Sequence, residues 1–439
     1  TVGTYTISET GENVCKAGSK QWAGLVNVSE GNSVFYWFFE SKHQPETDPV
    51  IVWIDGGPGI SSMMGLFLQA GPCRVQPGAN TTIANPHSWT NFANVLFIDN
   101  PAGVGFSHTT RPPSSASMPS AASDINTLLT TFFTTMFPHL ATNPLHLVGE
   151  SIGGHWVPHF ASHIHTTHPI TSIILLNGVV SQTHSGDGAL YDHFCDPERS
   201  NVLFNHTACT AMAETQIECD FLSDQCVETY DEFICRAAFG YCGGQHGRWY
   251  NEYGPGMPDP YDDRFVCREG EFACGNFDMG FVEYLNRREV KRALRVDEGV
   301  EYRVFNATVN RAWGEKAVMA VPTTREVSWI LEETEMWVLV VNGNNDAVVE
   351  TSGQKRVFEH IIRWKGQAAF RLRRFVDWFW TKDGELVKGG ELKSVGKLAF
   401  VTVDDAGHLP ALRQPEPVSF VVKCWITGGR GEKCPRLGD

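Results

Sequence analysis

The chain has 439 residues, 42 % hydrophobic and 19 % charged, which is enough for one large folded α/β domain with insertions or for two ordinary domains. A formal net charge of −15 argues against nucleic acid or an anionic membrane as the main partner. No apolar run approaches the roughly 20 residues of a membrane-spanning helix, and the longest, such as Val338–Val341, are strand-sized.

In chain order, residues 1–48 are polar and rich in turns. Strand-like segments at Gly24–Val28 and Ser33–Glu40, with Trp37, Phe38 and Phe39, predict an antiparallel edge hairpin. Pro49–Ile54 reads as a buried strand running into Asp55-Gly56-Gly57-Pro58-Gly59. That loop offers backbone amides to an anion or an oxyanion, or it is a plain tight turn. Met63–Leu68 begins a helix, and Asn94–Ile98 is a further buried strand before Asp99–Ser107. Ala121–Phe137 has helical spacing, with Ile125, Leu128, Leu129, Phe132, Phe133 and Phe137 on one core-facing side. The strand Leu145–Val148, a helix to His165 and the strand Ile173–Leu176 follow. Strands alternating with helices imply an α/β fold with a mostly parallel sheet.

Between Ser181 and Arg325 this rhythm breaks, and only Phe281–Val296 reads as a helix. It returns with Trp337–Val341, Ser352–Trp364, Leu398–Val403 and a helix from Pro415 to Ile426. The expected organisation is a core over 1–180, a cysteine-rich cap insertion over 181–325 and the rest of the core over 326–439. Of the twelve cysteines, eight lie between Cys195 and Cys274. No C-x-x-C pair announces a zinc site, so disulfides and an oxidising compartment are the expectation. The short Cys424–Cys434 separation suits a local bridge. No secretory signal is visible at Thr1, as expected of a chain that begins at a processed N-terminus. Asn27, Asn80, Asn205 and Asn306 open N-x-S/T sequons, each a permissive glycosylation site.

The chemistry gathers around Leu147-Val148-Gly149-Glu150-Ser151-Ile152-Gly153-Gly154. A G-x-S-x-G between a strand and a helix is the nucleophile elbow, which lifts the serine hydroxyl out at the strand's carboxyl end. The bare pentapeptide also fits a glycine-rich turn, so the rest of the chain must decide. A nucleophilic serine needs a base, and the base needs an orienting acid, in the chain order Ser, Asp or Glu, His. Trp337–Val341 runs into Asn342-Gly343-Asn344-Asn345-Asp346, and Leu398–Val403 into Asp404-Asp405-Ala406-Gly407-His408. Asp346 is the expected acid and His408 the expected base. Asp404 and Asp405 compete for the acid role but sit too near His408 in sequence for a partner on a separate strand.

These residues resemble the serine carboxypeptidase family, α/β-hydrolase enzymes of vacuoles and secretions. The matching blocks are Trp53–Ser62, Gly65–Pro72, Asp99–Ser107, Gly149–Pro158, Asn342–Asp346 and Gly407–Pro410. Gly71-Pro72-Cys73-Arg74-Val75 and the cysteine-rich insertion look most like secreted fungal members. The resemblance implies an α/β-hydrolase fold, a Ser151–Asp346–His408 triad and an oxyanion hole of the Gly57 and Ile152 amides. It implies removal of one residue at a time from the free C-terminus of a peptide or protein, through an acyl-enzyme, with no metal or organic cofactor. It places the enzyme in a secretion or a vacuole.

The family holds the substrate's terminal carboxylate with an Asn before Gly-Gly-Pro-Gly, a Glu in the following helix and the Glu before the nucleophile. Here those positions are Asp55, Gln69 and Glu150, beside Gly56. An Asn donates a hydrogen bond at any pH, an Asp only when protonated. Two acids facing a carboxylate resist joint ionisation, so acidic pH should favour binding. The alternative is that Asp55 caps the glycine turn. Ile152 replaces the family's usual aromatic, and Ile60 stands where many members have a cysteine. The pocket for the departing residue maps onto Met64 and Leu409, both apolar, which implies a preference for hydrophobic C-termini. Two rivals stay open: a carboxypeptidase-like acyltransferase or esterase, and a catalytically silent binding protein.

Overall fold

The computed structural model describes residues 1–112, 115–186, 188–198, 203–253, 257–267, 274–275, 277–316, 319–428 and 434, without the side chains of 245–253 and 257. The chain divides into two compact units, Thr1–Ile174 with Asp278–Lys316, and Leu175–Phe277 with Ala317–Asp439. The inserted stretch 181–325 is thus shared between them. The fold is that of an α/β hydrolase, a mostly parallel sheet with helices.

In the first unit the strands lie in the order Ser8–Thr10, Gln21–Ser29, Asn32–Phe39, Asn94–Ile98, Val50–Ile54, Leu145–Glu150. Val50–Ile54 is parallel to both of its neighbours. Every residue of these three parallel strands is buried, which is why they read as mostly apolar runs rather than alternations. Gln21–Ser29 and Asn32–Phe39 do pair antiparallel, but the second is not an edge strand, because Asn94–Ile98 pairs along its other side. Its consecutive aromatics face opposite ways and both faces are covered. Phe38 packs on Phe132 and Phe137, while Trp37 meets Phe67.

The expected helix over 121–137 begins earlier, at Met118. Ser117 caps it by accepting from the Ser120 amide, and Pro119 sits in the first turn, where its missing N–H costs nothing. It ends in a wider π turn at Phe132–Met136. The expected helix over 281–296 is two short ones, Gly280–Leu285 and Arg288–Ala293. Asn286 interrupts them: its side chain accepts from the Tyr302 amide and donates to the Tyr302 carbonyl, replacing a helical continuation with a strand-like pair.

In the second unit Trp337–Gly343 runs parallel to Leu398–Val403. A hairpin, Val376–Lys382 with Glu385–Val395, extends the sheet antiparallel. Sequence reading passed over this hairpin, although Asp383-Gly384, both at positive φ, is a strong tight-turn signal. Two long helices were also missed, His206–Thr229 and Glu232–Tyr253. Neither has a marked apolar stripe, and Ile217, Phe221 and Phe233 are exposed. Small buried clusters around Ala208 and Met212 and around Ala238 and Ala320 hold the helices in part, and covalent bonds add to the holding. Cys219 and Cys226 are seven residues apart on one helix, as are Cys235 and Cys242 on the other. They form two rungs, Cys219–Cys242 and Cys226–Cys235. All twelve cysteines pair, and the remaining bridges are Cys15–Cys73, Cys195–Cys209, Cys267–Cys274 and the local Cys424–Cys434. Among the described residues, no helix is long and apolar enough to cross a membrane.

A buried carboxyl ties together the loops behind the parallel strands of the first unit. Asp99 Oδ1 accepts from Ser61 Oγ at 2.6 Å and from the Ser62 amide at 3.0 Å, and its Oδ2 accepts from the Phe106 amide at 2.9 Å. Tyr302 donates to Ser61 Oγ at 2.9 Å. Burial pushes Asp99 up to about 7; these donors oppose the shift, and the charge of Asp55 adds to it. An unfolded Asp titrates near 4. Between about pH 4 and 7 the native state therefore keeps a proton that the unfolded state has released. Stability falls as pH rises through that window, by an amount on the order of a few kcal/mol. Thermal unfolding should show a higher Tm near pH 4.5 than near pH 7, and Asp99→Asn should flatten that slope. An unaltered slope in the variant would exclude Asp99 as its source.

Candidate active site

The expected elbow around Ser151 lies in the first unit. Leu145–Glu150 enters a turn at Ser151 and leaves as the helix Gly153–Ile164. Ser151 has φ 56°, a left-handed conformation that costs a non-glycine residue energy and persists only where its surroundings enforce it. The neighbours show how. A Cβ on Gly149 would lie 2.3 Å from the Gly153 carbonyl oxygen, so strand and helix meet there backbone to backbone. The 55–57 loop sits directly on the elbow. A Cβ on Gly56 would lie 2.5 Å from the Ile152 nitrogen and 2.8 Å from Ser151 Cβ. Gly56-Gly57 and Ile152 thus bring two stretches of backbone together beside the serine, at the positive end of a helix dipole.

Asp55, Gln69 and Glu150 are all buried. Asp55 Oδ2 accepts from the Trp53 indole at 2.9 Å and from the Gly65 amide at 3.1 Å. Asp55 is thereby bonded to its own strand and to the helical turn that follows the glycine loop. Because Oδ2 already receives two N–H groups, any proton on this carboxyl belongs on Oδ1. Gln69 lies in the π turn Leu66–Ala70 and is 1 % exposed. Neither its Nε2 nor its Oε1 has a hydrogen-bond partner among the described residues. Met64 is half-buried beside this turn.

In the second unit, Asp346 and His408, the expected acid and base, are bonded to each other. Asp346 follows the strand Trp337–Gly343 and is fully buried. Its Oδ2 accepts from His408 Nδ1 at 2.8 Å and from Asn177 Nδ2. Its Oδ1 accepts from the Val348 and Val349 amides at 2.7 and 3.0 Å. Four donors fix the carboxylate in place. The bond to Nδ1 sets the imidazole tautomer and leaves Nε2 as the basic nitrogen. Asp404 instead accepts from Asn344, and the exposed Asp405 faces Arg264 at 3.6 Å. Leu409 is buried at the start of the helix Pro410–Arg413.

Asn177 escaped sequence reading. It lies just past the strand Ile170–Leu176 at φ 42°. Its amide donates to Val341, and its Oδ1 accepts from the Gly343 amide at 3.1 Å. It thus links the acid strand to the acid itself. An Asn-Gly after an apolar strand was the available signal.

A model of the serine carboxypeptidase family matches residues 12–428. Carboxypeptidase Y homolog A of Trichophyton rubrum is 31 % identical over 417 residues, covering 94 % of this chain and 76 % of the relative. Its counterpart in Neurospora crassa is 31 % identical over 415 residues, covering 93 % and 72 %. The crystal structure of Kex1(delta)p, a prohormone-processing carboxypeptidase from Saccharomyces cerevisiae, shares the fold with a TM-score of 0.77 at 18 % identity, over 96 % of this chain and 95 % of that one. Matched along nearly its whole length, the chain belongs to the serine carboxypeptidase family and is a hydrolase of the exopeptidase class.

Proposed function

We propose that the enzyme releases single residues from peptide C-termini through an acyl-enzyme, best at acidic pH, with Ser151 as nucleophile, His408 as base and Asp346 as the orienting acid. Ser151 Oγ attacks the last peptide carbonyl and passes its proton to His408 Nε2. The amides of Gly57 and Ile152 receive the oxyanion, and losing one such donor typically costs about 10²–10³ in rate. His408 then protonates the departing amine, and water, activated by the same histidine, cleaves the acyl-serine. Every step is acid–base or nucleophilic, so the scheme calls on no metal or organic cofactor.

What makes this an exopeptidase is recognition of the terminal carboxylate, and the observation that carries it is Gln69. A buried amide with neither polar atom partnered is costly, and a substrate carboxylate would accept from its Nε2. In this reading the Gly56 amide and protonated Asp55 and Glu150 supply the other donors. Deprotonation of either acid would set a negative charge against the substrate's own. Met64 and Leu409 line the pocket for the departing side chain and favour apolar C-termini. The stretch 181–325 serves as the cap that refines this choice. Six disulfides suit passage through an oxidising secretory route to a secretion or vacuole. Asn27, Asn80 and Asn205 are exposed glycan acceptors, whereas Asn306 is half-buried with its Nδ2 donating to the Gly103 carbonyl.

Two measurements test the reading. Asp346→Asn should lower kcat by about 10⁴, since the imidazole would then hold the wrong tautomer; near-wild-type turnover would dismiss the triad. The second compares a blocked dipeptide with its C-terminal amide across pH 4 to 8. KM for the free acid should climb with pH while the amide remains a poor substrate throughout, and Asp55→Asn should flatten the climb. Equal cleavage of acid and amide would instead mark an esterase-like or amidase-like enzyme that ignores the carboxylate.

A further inference from the structure

The turn Pro260–Asp263 joins the short strands Met257–Asp259 and Asp262–Cys267. It touches the acid loop on both sides of Asp346. The Ala347 amide donates to the Pro260 carbonyl at 3.0 Å, and the Asp263 amide donates to the Asn345 carbonyl at 3.0 Å. The same turn holds the base. The His408 amide donates to the Tyr261 carbonyl at 2.7 Å, and the Tyr261 ring meets the imidazole edge-on at 5.1 Å. The turn is therefore bonded to both sequence neighbours of Asp346 and to His408 itself.

The turn is itself fixed by a buried charge. Asp263 is fully buried and His193 2 % exposed. Asp263 Oδ2 lies 2.9 Å from His193 Nε2, on the helix Leu190–Phe194. Asp263 Oδ1 accepts from Asn345 Nδ2 at 2.7 Å, one residue before the acid. One carboxylate thus spans the inserted helix and the acid loop. Burying a carboxylate is a poor way to gain stability, because desolvation offsets most of the attraction; its better-attested return is a single fixed register. A shift of about 1 Å in a reacting group can cost about 10²-fold in rate, so the register of this loop bears on turnover.

We propose that Asp263, held by His193, is a positioning residue of this carboxypeptidase: through Asn345 and the Pro260–Asp263 turn it sets the geometry of Asp346 and His408. This rests on Asp346 and His408 being the acid and the base.

The test is steady-state hydrolysis of a blocked dipeptide, with the native fold checked by near-ultraviolet circular dichroism. Asp263→Ala should lower kcat about 10- to 100-fold with KM within about twofold, because binding groups of the nucleophile half are untouched. Asp263→Asn should recover most of that loss, since its Oδ1 can still accept from Asn345 and its Nδ2 can donate to a neutral His193. A natively folded Asp263→Ala enzyme with wild-type kcat, or a loss carried by KM alone, overturns the proposal. Should that variant fail to fold, Asn345→Ala removes only the loop-side bond. It should lower kcat several-fold at constant KM, and wild-type kcat would again overturn the proposal. Asp346→Asn serves as the control. If it stays active, the triad assignment falls and the positioning role with it. If it is inactive while Asp263→Ala and Asn345→Ala turn over normally, only the positioning role falls.

Discussion

The nucleophile depends on a close approach of backbones that leaves no room for a side chain. Ser151 holds a left-handed conformation because strand, helix and the 55–57 loop converge on it with glycines at the contacts. Releasing any one of them would let the elbow relax toward ordinary φ and turn the hydroxyl away. The buried parallel strands give the rigidity that such strain requires. Three fully buried strands side by side cannot shift register without exposing apolar side chains to water.

Beneath that elbow the protein stores acids where acids are expensive. Asp55, Asp99 and Glu150 are buried in one unit, and the charge of Asp55 reinforces the upward shift of Asp99. The cost of burying Asp99 falls as pH drops, so fold stability and the proposed carboxylate recognition favour the same acidic conditions. In the other unit the opposite strategy operates. Asp346 is surrounded by four donors, one of them His408 Nδ1. One protein keeps carboxyls buried in two ways, by neutralising some and by saturating another with hydrogen bonds.

Much of this was legible in the residues. Apolar runs ending in glycine-rich or acidic loops located the strands and the positions of Ser151, Asp346 and His408, because a parallel strand must be apolar along its length and places its loop at its carboxyl end. What stayed hidden was held by other means. The helices His206–Thr229 and Glu232–Tyr253 lack an apolar period because disulfide rungs replace it. Asn177 and Asp263 act through contacts with residues more than eighty positions away, and local pattern carries no trace of such partners. The edge assignment for Asn32–Phe39 failed because burial on both faces by aromatics looks, along the chain, like the one-sided burial of a hairpin.

The disulfide rungs between the two long helices have an evolutionary consequence. A helix held by packing is constrained at every position of its apolar face, whereas one held by covalent cross-links is constrained mainly at the cysteines. Outward positions such as Ile217, Phe221 and Phe233 can therefore change at little cost in folding energy. The inserted stretch is free to vary in surface chemistry while the parallel strands, packed on both faces, are not. Lineages with the same catalytic framework can thus diverge at this surface first.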